Sequence, residues 1–377
     1  MTRTVIAGYA RSPFQLAHKG ALARTRPDDL AAAVVRGLLD RTKLDPALVE
    51  DLVLGCAFPE GEQGLNVARL VGLLADLPIA MGGATINRFC GSSMSAIHYA
   101  AGQIAIGAGD AFICGGIESM SRVPMAGFNP MPNPALAARS AAYMGMGETA
   151  ENVAAQFGIS RAEQEALAVE SHAKAATAQA EGRLADEIVP IETRAGTVSS
   201  DGAIRPDTTA EALAGLKPAF SATGTVTAGT SSPLTDGASA VLVTSADFAR
   251  AHGLPILAAI RSVAISGCKP ETMGLGPIES SRKAMARAGI AVADLDVVEI
   301  NEAFASQAIA CIRELGLKAD TINIDGGAIA IGHPLGATGA RIVGKAAALL
   351  ARTGGRYALA TQCIGSGQGI ATVLERV

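Results

Sequence analysis

Two cysteines and one histidine in this chain lie in settings where their side chains could do chemistry. Cys90, in NRFCGSSMSAI, falls between a strand-like run and a helical run, and Gly91 is expected to allow a sharp turn between them. A cysteine at a helix N-terminus faces unpaired backbone N–H groups and the positive end of the helix dipole. Both favour the thiolate over a free thiol, whose pKa is about 8.5. Cys90 is therefore a candidate nucleophile, and a buried structural cysteine is the alternative interpretation.

The other two groups could transfer protons. His333, in GGAIAIGHPLGATGAR, lies in a Gly-rich loop that can expose an imidazole and let backbone amides approach a ligand closely, unless the loop is simply a tight turn. It is the best base candidate because the other four histidines lie in polar stretches or within predicted helices. Cys363, in TQCIGSGQG, ends a predicted strand, and α/β folds build sites at the carboxyl ends of strands. Its thiol is a candidate acid or base, with a structural cysteine as the alternative, and the N–H of Gly365 could serve an oxyanion.

Another strand-to-helix junction, NEAFA, carries Asn301 and Glu302. The simplest interpretation is that Asn301 caps a helix while Glu302 favours the helix dipole. The remaining cysteines are scattered and form no CxxC pair, so we interpret them as small buried hydrophobic residues of a protein in the reducing cytoplasm. These residues are Cys56, Cys114, Cys268 and Cys311.

Composition excludes several classes of protein. Among 377 residues, 18% are charged and the net charge is −4, which argues against a basic nucleic-acid surface. Aromatic residues make up only 3% and Trp is absent, so platforms for base stacking are not expected. No apolar run reaches membrane-spanning length, and the short apolar run at the N-terminus predicts a strand rather than a signal peptide. The Gly-rich runs match neither a Rossmann fingerprint nor a Walker A loop.

Strand-like and helical runs alternate along the chain in two successive series, which predicts βαβ units and largely parallel sheets. In the second series INIDGG is predicted to be a strand, and a helix is predicted over residues 340–351. The alternation stops between the two series. There FNPMPNPA is typical of an irregular loop, and an Ala-rich stretch predicts a helix with a capping box at Ser160 and Glu163. The sequence therefore predicts a duplicated α/β fold with an insertion. We expect an N-terminal domain of residues 1–120 plus 235–250, a loop domain of residues 121–234, and a C-terminal domain of residues 251–377.

Taken together, the motifs resemble those of the thiolase family. NRFCGSSMSA, GGIESMS, TAGTSSPLTDGASA, NEAFA, GGAIAIGHPLGATGAR and CIGSGQG occur in the family's order, and the resemblance covers essentially the whole chain. NRFCGSSM and the ending GQGIATVLERV are most similar to the degradative 3-ketoacyl-CoA thiolases of fatty-acid β-oxidation. Biosynthetic members tend to read CGSGL and GMG at these places. Many of them also have a His where this chain has Tyr143, and this departure argues against an acetoacetyl-CoA assignment.

The resemblance implies a duplicated thiolase fold, with two βαβαβαββ domains layered α-β-α-β-α and an inserted loop domain that binds CoA. It implies that Cys90 is the acylated nucleophile, that His333 is its base, and that Cys363 is a second, acid/base cysteine. It further implies that Asn301 holds a catalytic water and that Gly365 supplies an oxyanion-hole amide. The residues that match the family's CoA and pantetheine path are Met144, Arg205, Phe220, Ser232, Met273 and Phe304.

The activity implied is that of an acetyl-CoA C-acyltransferase, which cleaves a 3-ketoacyl-CoA with CoA as co-substrate and with no permanently bound cofactor or metal. Implied partners are CoA thioesters, further copies in a homodimer or tetramer, and a hydratase/dehydrogenase subunit. Three alternatives stay open: a biosynthetic acetoacetyl-CoA thiolase, a ketoacyl synthase on the related fold, and a non-catalytic acyl-CoA or lipid carrier. The presence of Cys363 argues against the synthase, and a carrier should lack Cys90, His333 or Cys363.

Overall fold

Ten strands form one mixed β-sheet in the computed structural model, which describes residues 3–377, so that residues 1 and 2 of the expected N-terminal domain lie outside it. Most of these strands are buried, as their near-continuous apolar sequences predict. A separate hairpin of β6 and β7 lies in the middle of the chain. The strands are Thr4–Arg11 (β1), Gln15–Leu16 (β2), Asp51–Gly55 (β3), Gly82–Ile86 (β4), Ala111–Ser119 (β5), Ile191–Thr193 (β6), Gly196–Val198 (β7), Thr235–Ser245 (β8), Ala258–Gly267 (β9), Leu295–Ile300 (β10), Tyr357–Ile364 (β11) and Gln368–Glu375 (β12).

Helices connect most of these strands, and several begin at signals that the sequence carries. Pro at the first or second position starts α1, α4 and α9, and Ser160 caps α6 with Glu163 completing the predicted capping box. The helices are Pro27–Thr42 (α1), Val67–Leu74 (α2), Ser92–Ala105 (α3), Pro134–Ala137 (α4), Met146–Phe157 (α5), Arg161–Ala180 (α6), Ala210–Ala214 (α7), Ala246–Ala251 (α8), Gly276–Ala288 (α9), Ala305–Leu315 (α10), Ala328–Ile331 (α11) and Leu335–Thr353 (α12).

The order of the strands reveals a duplication. Along the sheet the order is β10-β11-β12-β9-β1-β8-β5-β3-β4. In chain order, the strands of the N-terminal half are β1, β3, β4, β5 and β8. From the outer edge of the sheet inward, the third of these comes first, followed by the second, the fourth, the fifth and the first. The C-terminal half repeats this order when Ile322, which makes a single parallel bridge to Val298 of β10, is taken as its third strand. The two halves join where β1 pairs with β9, and the predicted duplication is confirmed.

Helices cover both faces of each half. Helices α1 and α2 pack on one face of the N-terminal half, and α9 packs on the outer face of the C-terminal half. Between the halves lie α3 and α12, and α12 contacts β5 and β8 of one half as well as β10 and β11 of the other. This is the predicted α-β-α-β-α layering. It makes α12 the central helix, buried almost throughout.

The stretch between the two halves, residues 121–234, contains α4 to α7 and the β6–β7 hairpin. The domain boundaries drawn from the sequence stay a prediction. Within residues 3–377, none of the helices is both long enough and apolar enough to cross a membrane.

Two expectations about local structure in the C-terminal half are wrong. The run INIDGG is not a strand: Asn323 has a left-handed φ of 43°, which ends the extended backbone after the single bridge at Ile322. The Gly-rich run around His333 is not all loop either. Residues 328–331 form α11, and α12 begins at Leu335, directly after Pro334, instead of near Ala340. His333 therefore lies in a short turn between two helices.

A buried ion-pair network ties β1 to the middle of the chain and should be needed for folding. Arg11 is fully buried, and its guanidinium contacts Glu187 at 2.8 Å and Asp201 at 2.7 Å. Arg11→Met leaves both carboxylates without this partner, so we expect a loss of about 3–5 kcal/mol in the free energy of unfolding. Urea denaturation measures it.

Arg3→Met is the matched control, because Arg3 is 45% exposed and pairs with Glu375 at the surface. It should cost no more than about 1 kcal/mol. Equal losses in the two variants would contradict the role given to burial of the Arg11 network.

Candidate active site

Cys90, His333 and Cys363 all line one cavity of about 550 Å³. Each comes from a different segment at the carboxyl end of the parallel strands: Cys90 follows β4, Cys363 lies at the end of β11, and His333 precedes α12. Such edges are where the side chains of successive βα units meet. The cavity lining consists of Cys90, Met120, Met125, Gly145, Met146, Gly147, Glu148, Ala219, Phe220, Ser231, Ser232, Pro233, Leu234, Met273, Ala303, Phe304, His333, Leu335 and Cys363.

The turn that carries Cys90 is a tight elbow between β4 and α3. Phe89 has a left-handed φ of 44°, and such a backbone costs a non-glycine residue roughly 1–2 kcal/mol. The Ser92 hydroxyl stabilises the turn by donating to the Phe89 carbonyl at 2.6 Å and accepting from the Arg88 N–H at 2.9 Å. Gly91 itself has an ordinary φ of −83°, so the predicted reason for this glycine is wrong. A Cβ there would lie 2.5 Å from the end of the Ile364 side chain of β11, so a larger residue would force that side chain to move.

Burial changes the expected charge state of Cys90. Loss of hydration raises the pKa of this thiol to about 12, although the backbone N–H of Gly365 opposes the rise and the charge of Glu118 adds to it. The helix-terminus argument predicts a thiolate, and that prediction is wrong for the free cavity because desolvation outweighs the amide contacts. Cys90 rests as a thiol and needs a base before it can attack.

His333 is held as a neutral ring with the proton on one nitrogen and a lone pair on the other. The Thr338 hydroxyl donates to the Pro334 carbonyl at 3.0 Å, so it must accept the hydrogen that His333 Nδ1 presents at 2.6 Å. The proton is thereby assigned to Nδ1, and the lone pair belongs to Nε2. Burial, and then the charge of Arg341, lower the pKa of His333 to about 3. A neutral imidazole with its Nε2 lone pair available can accept a proton.

Asn301 follows β10 and lies beside this nitrogen. Its Nδ2 is 3.3 Å from His333 Nε2, and its side chain is fully buried. Its Oδ1 has no hydrogen-bond partner among the described residues. The interpretation of Asn301 as a helix cap is wrong, because α10 begins at Ala305 with Phe304 in the cap position. Glu302 instead accepts hydrogen bonds from Ser171, Asn323 and the backbone of Ile329.

Cys363 is buried in an apolar cluster that includes Met273 and Phe304. Burial raises the pKa of its thiol well above the ordinary value, and the neighbouring Cys90 adds to the rise. The two cysteine segments are joined directly, since the Gln362 side-chain amide donates to the Cys90 carbonyl. Both cysteines are therefore neutral thiols on one cavity.

Four of the six residues matched to a CoA path line the cavity, namely Phe220, Ser232, Met273 and Phe304. Met144 does not, and its sulfur accepts a hydrogen bond from Asn152 at 3.4 Å. Arg205 also lies elsewhere: its guanidinium contacts His172 at 3.1 Å and it lines a separate cavity of about 520 Å³. Tyr143 is about half exposed, and its hydroxyl accepts from the Asn133 N–H.

Sequence reasoning missed several residues of the site. Met120, Met125, Leu234 and Leu335 add apolar lining, and nothing in their local sequence sets them apart from core or loop residues. Thr338 could have been found, because a hydroxyl residue five positions after a histidine, at a helix start, can reach back to the ring. Its role depends on where α12 begins, and the predicted start lies several residues beyond the observed one.

Two family models match the chain. One described as "Thiolase, N-terminal domain" covers residues 4–247, and one described as "Thiolase, C-terminal domain" covers residues 254–376. The 3-ketoacyl-CoA thiolase of Bacillus subtilis is 47% identical over 389 residues, and that of Shewanella denitrificans is 50% identical over 388 residues. Both alignments span 100% of this chain and 100% of the relative. With these matches and the duplicated fold, the chain belongs to the thiolase family.

Proposed function

We propose that this protein is an acetyl-CoA C-acyltransferase that cleaves 3-ketoacyl-CoA by thiolysis through an acyl-enzyme on Cys90. The observation that carries the proposal is the meeting of two thiols and one neutral imidazole at a single, largely apolar cavity. The names of the Bacillus and Shewanella relatives, both 3-ketoacyl-CoA thiolases, support it. CoA is the co-substrate, and no permanently bound cofactor is needed.

In the first half-reaction, the Cys90 thiol gives its proton to His333 Nε2 as the sulfur attacks the 3-keto carbon. The tetrahedral oxyanion is stabilised by backbone N–H groups, for which Cys90 and Gly365 are the candidates. Collapse breaks the bond between C2 and C3. The enolate of acetyl-CoA leaves and takes a proton from the Cys363 thiol, while the shortened acyl group stays on Cys90.

In the second half-reaction, the thiol of CoA gives its proton to the Cys363 thiolate and its sulfur attacks the acyl group. The shortened acyl-CoA leaves, and His333 returns its proton to Cys90. Asn301 acts on the other oxyanion, the enolate oxygen. Its buried, unpartnered Oδ1 can hold a water, and its Nδ2 lies 3.3 Å from His333 Nε2. The tetrahedral oxyanion is therefore stabilised by backbone N–H groups, and the enolate oxygen by the water at Asn301.

Both cysteine roles can be tested with single variants. Cys90→Ala should abolish thiolysis and acyl transfer, because it removes the atom that carries the acyl group. Cys363→Ala should still be acylated at Cys90 by a simple acyl-CoA, since that step forms no enolate. It should lose about a hundredfold or more in exchange of the α-protons of acetyl-CoA with deuterium. Intact-protein mass and NMR measure the two steps.

Cys114→Ala is the control, because Cys114 is a buried thiol outside the cavity and should retain both steps. A Cys363→Ala protein that exchanges α-protons normally but cannot be acylated would reverse the two roles. A wild-type protein that never becomes acylated would favour the non-catalytic carrier.

The shape of the cavity favours a 3-ketoacyl-CoA longer than acetoacetyl-CoA. Cys90 packs in the same apolar cluster as Met120 and Leu335. Met125 and Leu234 continue the lining and are 45% and 47% exposed, so the cavity opens to solvent beside them. An acyl chain on Cys90 therefore has an apolar path beyond its first two carbons, which a dedicated acetoacetyl-CoA enzyme would not need.

We expect kcat/KM for thiolysis to rise with chain length from four carbons upward. Each fully buried CH₂ should add about fourfold, from about 0.8 kcal/mol, until the chain reaches the opening. Leu234→Glu should lower kcat/KM for a ten-carbon substrate at least tenfold and leave acetoacetyl-CoA within about twofold. Leu48→Glu, at an exposed leucine outside the cavity, is the control. A tenfold preference for acetoacetyl-CoA would instead support the biosynthetic alternative.

We further propose that the chain forms at least a homodimer through the β4 edge of the sheet. β4 is the last strand of the sheet, so one of its edges is unpaired within residues 3–377. Ile79, three residues before β4, is 75% exposed, and Leu65 is 88% exposed next to Asn66, whose side chain donates to the Gly83 carbonyl of β4. An exposed strand edge with large apolar neighbours is typical of an interface.

A hydratase/dehydrogenase subunit is a further proposed partner. The six unpaired cysteines support the reducing cytoplasm as the location of the protein.

Sedimentation velocity should therefore report a dimer or tetramer for the wild-type protein. Ile79→Asp should shift it towards monomer, because the carboxylate would be buried without a partner at the interface. Leu48→Asp should leave the assembly unchanged. A wild-type protein that is a stable and active monomer would contradict this proposal.

A further inference from the structure

Glu118 is a buried carboxylate next to the candidate site that the mechanism above does not use. It lies near the end of β5, within GGIESMS, and its side chain is 1% exposed. Burial of a carboxylate usually requires a cation close by. Among the described residues, none of the cationic side chains forms an ion pair with Glu118, and all the groups that hydrogen-bond to it are neutral.

These neutral contacts join three segments. Oε2 accepts from the Ala57 N–H at 2.8 Å and from the Gly336 N–H at 2.9 Å. Oε1 accepts from the Phe58 N–H at 3.3 Å and from the Gln63 side-chain amide at 2.5 Å, with the Cys56 thiol 3.9 Å away. The carboxylate thus holds the segment after β3, the end of β5 and the start of α12 together.

The contact with Gly336 reaches the turn that carries His333. Gly336 is the second residue of α12 and comes three residues after His333, so Glu118 supplies an acceptor for a free N–H in the first turn of this helix. A negative charge there is also favoured by the helix dipole. Packing leaves little freedom, because a Cβ on Gly336 would lie 2.5 Å from the Ile117 carbonyl.

Glu118 also lies near Cys90, because Ala57 and Phe58, whose N–H groups donate to its carboxylate, pack in the same apolar cluster as Cys90. Titratable groups around the Cys90 sulfur are Glu118, His333 and Cys363. His333 is neutral because its pKa is lowered to about 3, and Cys363 is a neutral thiol. Glu118 is the group whose charge raises the pKa of Cys90. Burial raises the pKa of Glu118 itself to about 7, against the hydrogen bonds that lower it, so the anion is present above neutral pH.

We propose that Glu118 is a positioning residue that holds the His333 turn against the segment after β3, which packs beside Cys90, and that places a negative charge near the Cys90 sulfur. The proposal rests on the function proposed above. A resting thiol avoids oxidation and alkylation in an open cavity, since only the thiolate is strongly nucleophilic. The proton then leaves for His333 when the sulfur attacks the substrate.

Two variants separate the effect of the length of the Glu118 side chain from the effect of its charge. Glu118→Gln keeps the length and removes the charge, so the pH dependence of Cys90 alkylation by iodoacetamide should move to lower pH. The expected shift is about one pH unit, because a like charge nearby disfavours the thiolate and its removal favours it. Glu118→Asp keeps the charge but is one CH₂ too short to reach Gly336. Its alkylation profile should stay within about 0.3 pH unit of wild type, while kcat for thiolysis falls at least tenfold at nearly unchanged KM.

Mass spectrometry of the Cys90 peptide reports alkylation, and a melting curve of each variant checks its folding. Cys114→Ala, on the same strand, controls for general loosening of the core and should retain both the alkylation profile and kcat. If Glu118→Gln does not fold, the Glu118→Asp result decides. A wild-type profile in Glu118→Gln, or a wild-type kcat in Glu118→Asp, would overturn the proposal. Absence of thiolysis in the wild-type protein would instead contradict the proposed function, and the alkylation shift would still be measurable.

Discussion

The burial of α12 between the two halves of the sheet is the constraint on which the rest of the structure depends. Residues 335–347 of this helix are buried without interruption. Such a helix can fit only if the residues at its closest contacts are small. A Cβ on Gly339 would lie 2.4 Å from the Met94 backbone nitrogen of α3, and one on Gly344 would lie 2.3 Å from the Tyr9 ring of β1. Because α12 touches both halves, it fixes His333 relative to Cys90 and Cys363 at once.

A second consequence of this packing is a site in which the reactive groups are neutral. Burial raises the pKa of Cys90 to about 12 and lowers that of His333 to about 3. Both shifts oppose transfer of the proton from Cys90 to His333 in the free site, because each places a charge in a poorly hydrated cavity. The thiolate–imidazolium pair is therefore not the resting state. Proton transfer has to accompany attack on the substrate, when the new negative charge moves to an oxygen that backbone N–H groups can stabilise.

Glu118 and Thr338 show how the site depends on groups outside it. Thr338 fixes which nitrogen of His333 carries the proton, and Glu118 fixes where the turn before α12 lies. Neither side chain lines the cavity. The Glu118 contact exists only when β5 and α12 are packed side by side, whereas the Thr338 contacts are local to the start of α12 and the turn before it.

The sequence alone determined the residue types, their order and most of the secondary structure. Alternating strand and helix periods gave the duplicated fold, and Cys90, His333 and Cys363 could be named from the elements that flank them. Those signals are local, so they do not depend on packing. The errors arose where distant segments meet: INIDGG failed to pair as a strand, Gly91 packs closely against Ile364 of β11, and α12 begins at Leu335. Only the tertiary structure decided that the three groups share one cavity and that both thiols rest protonated, because hydration is lost when the two halves close around α12 and no local pattern records that loss.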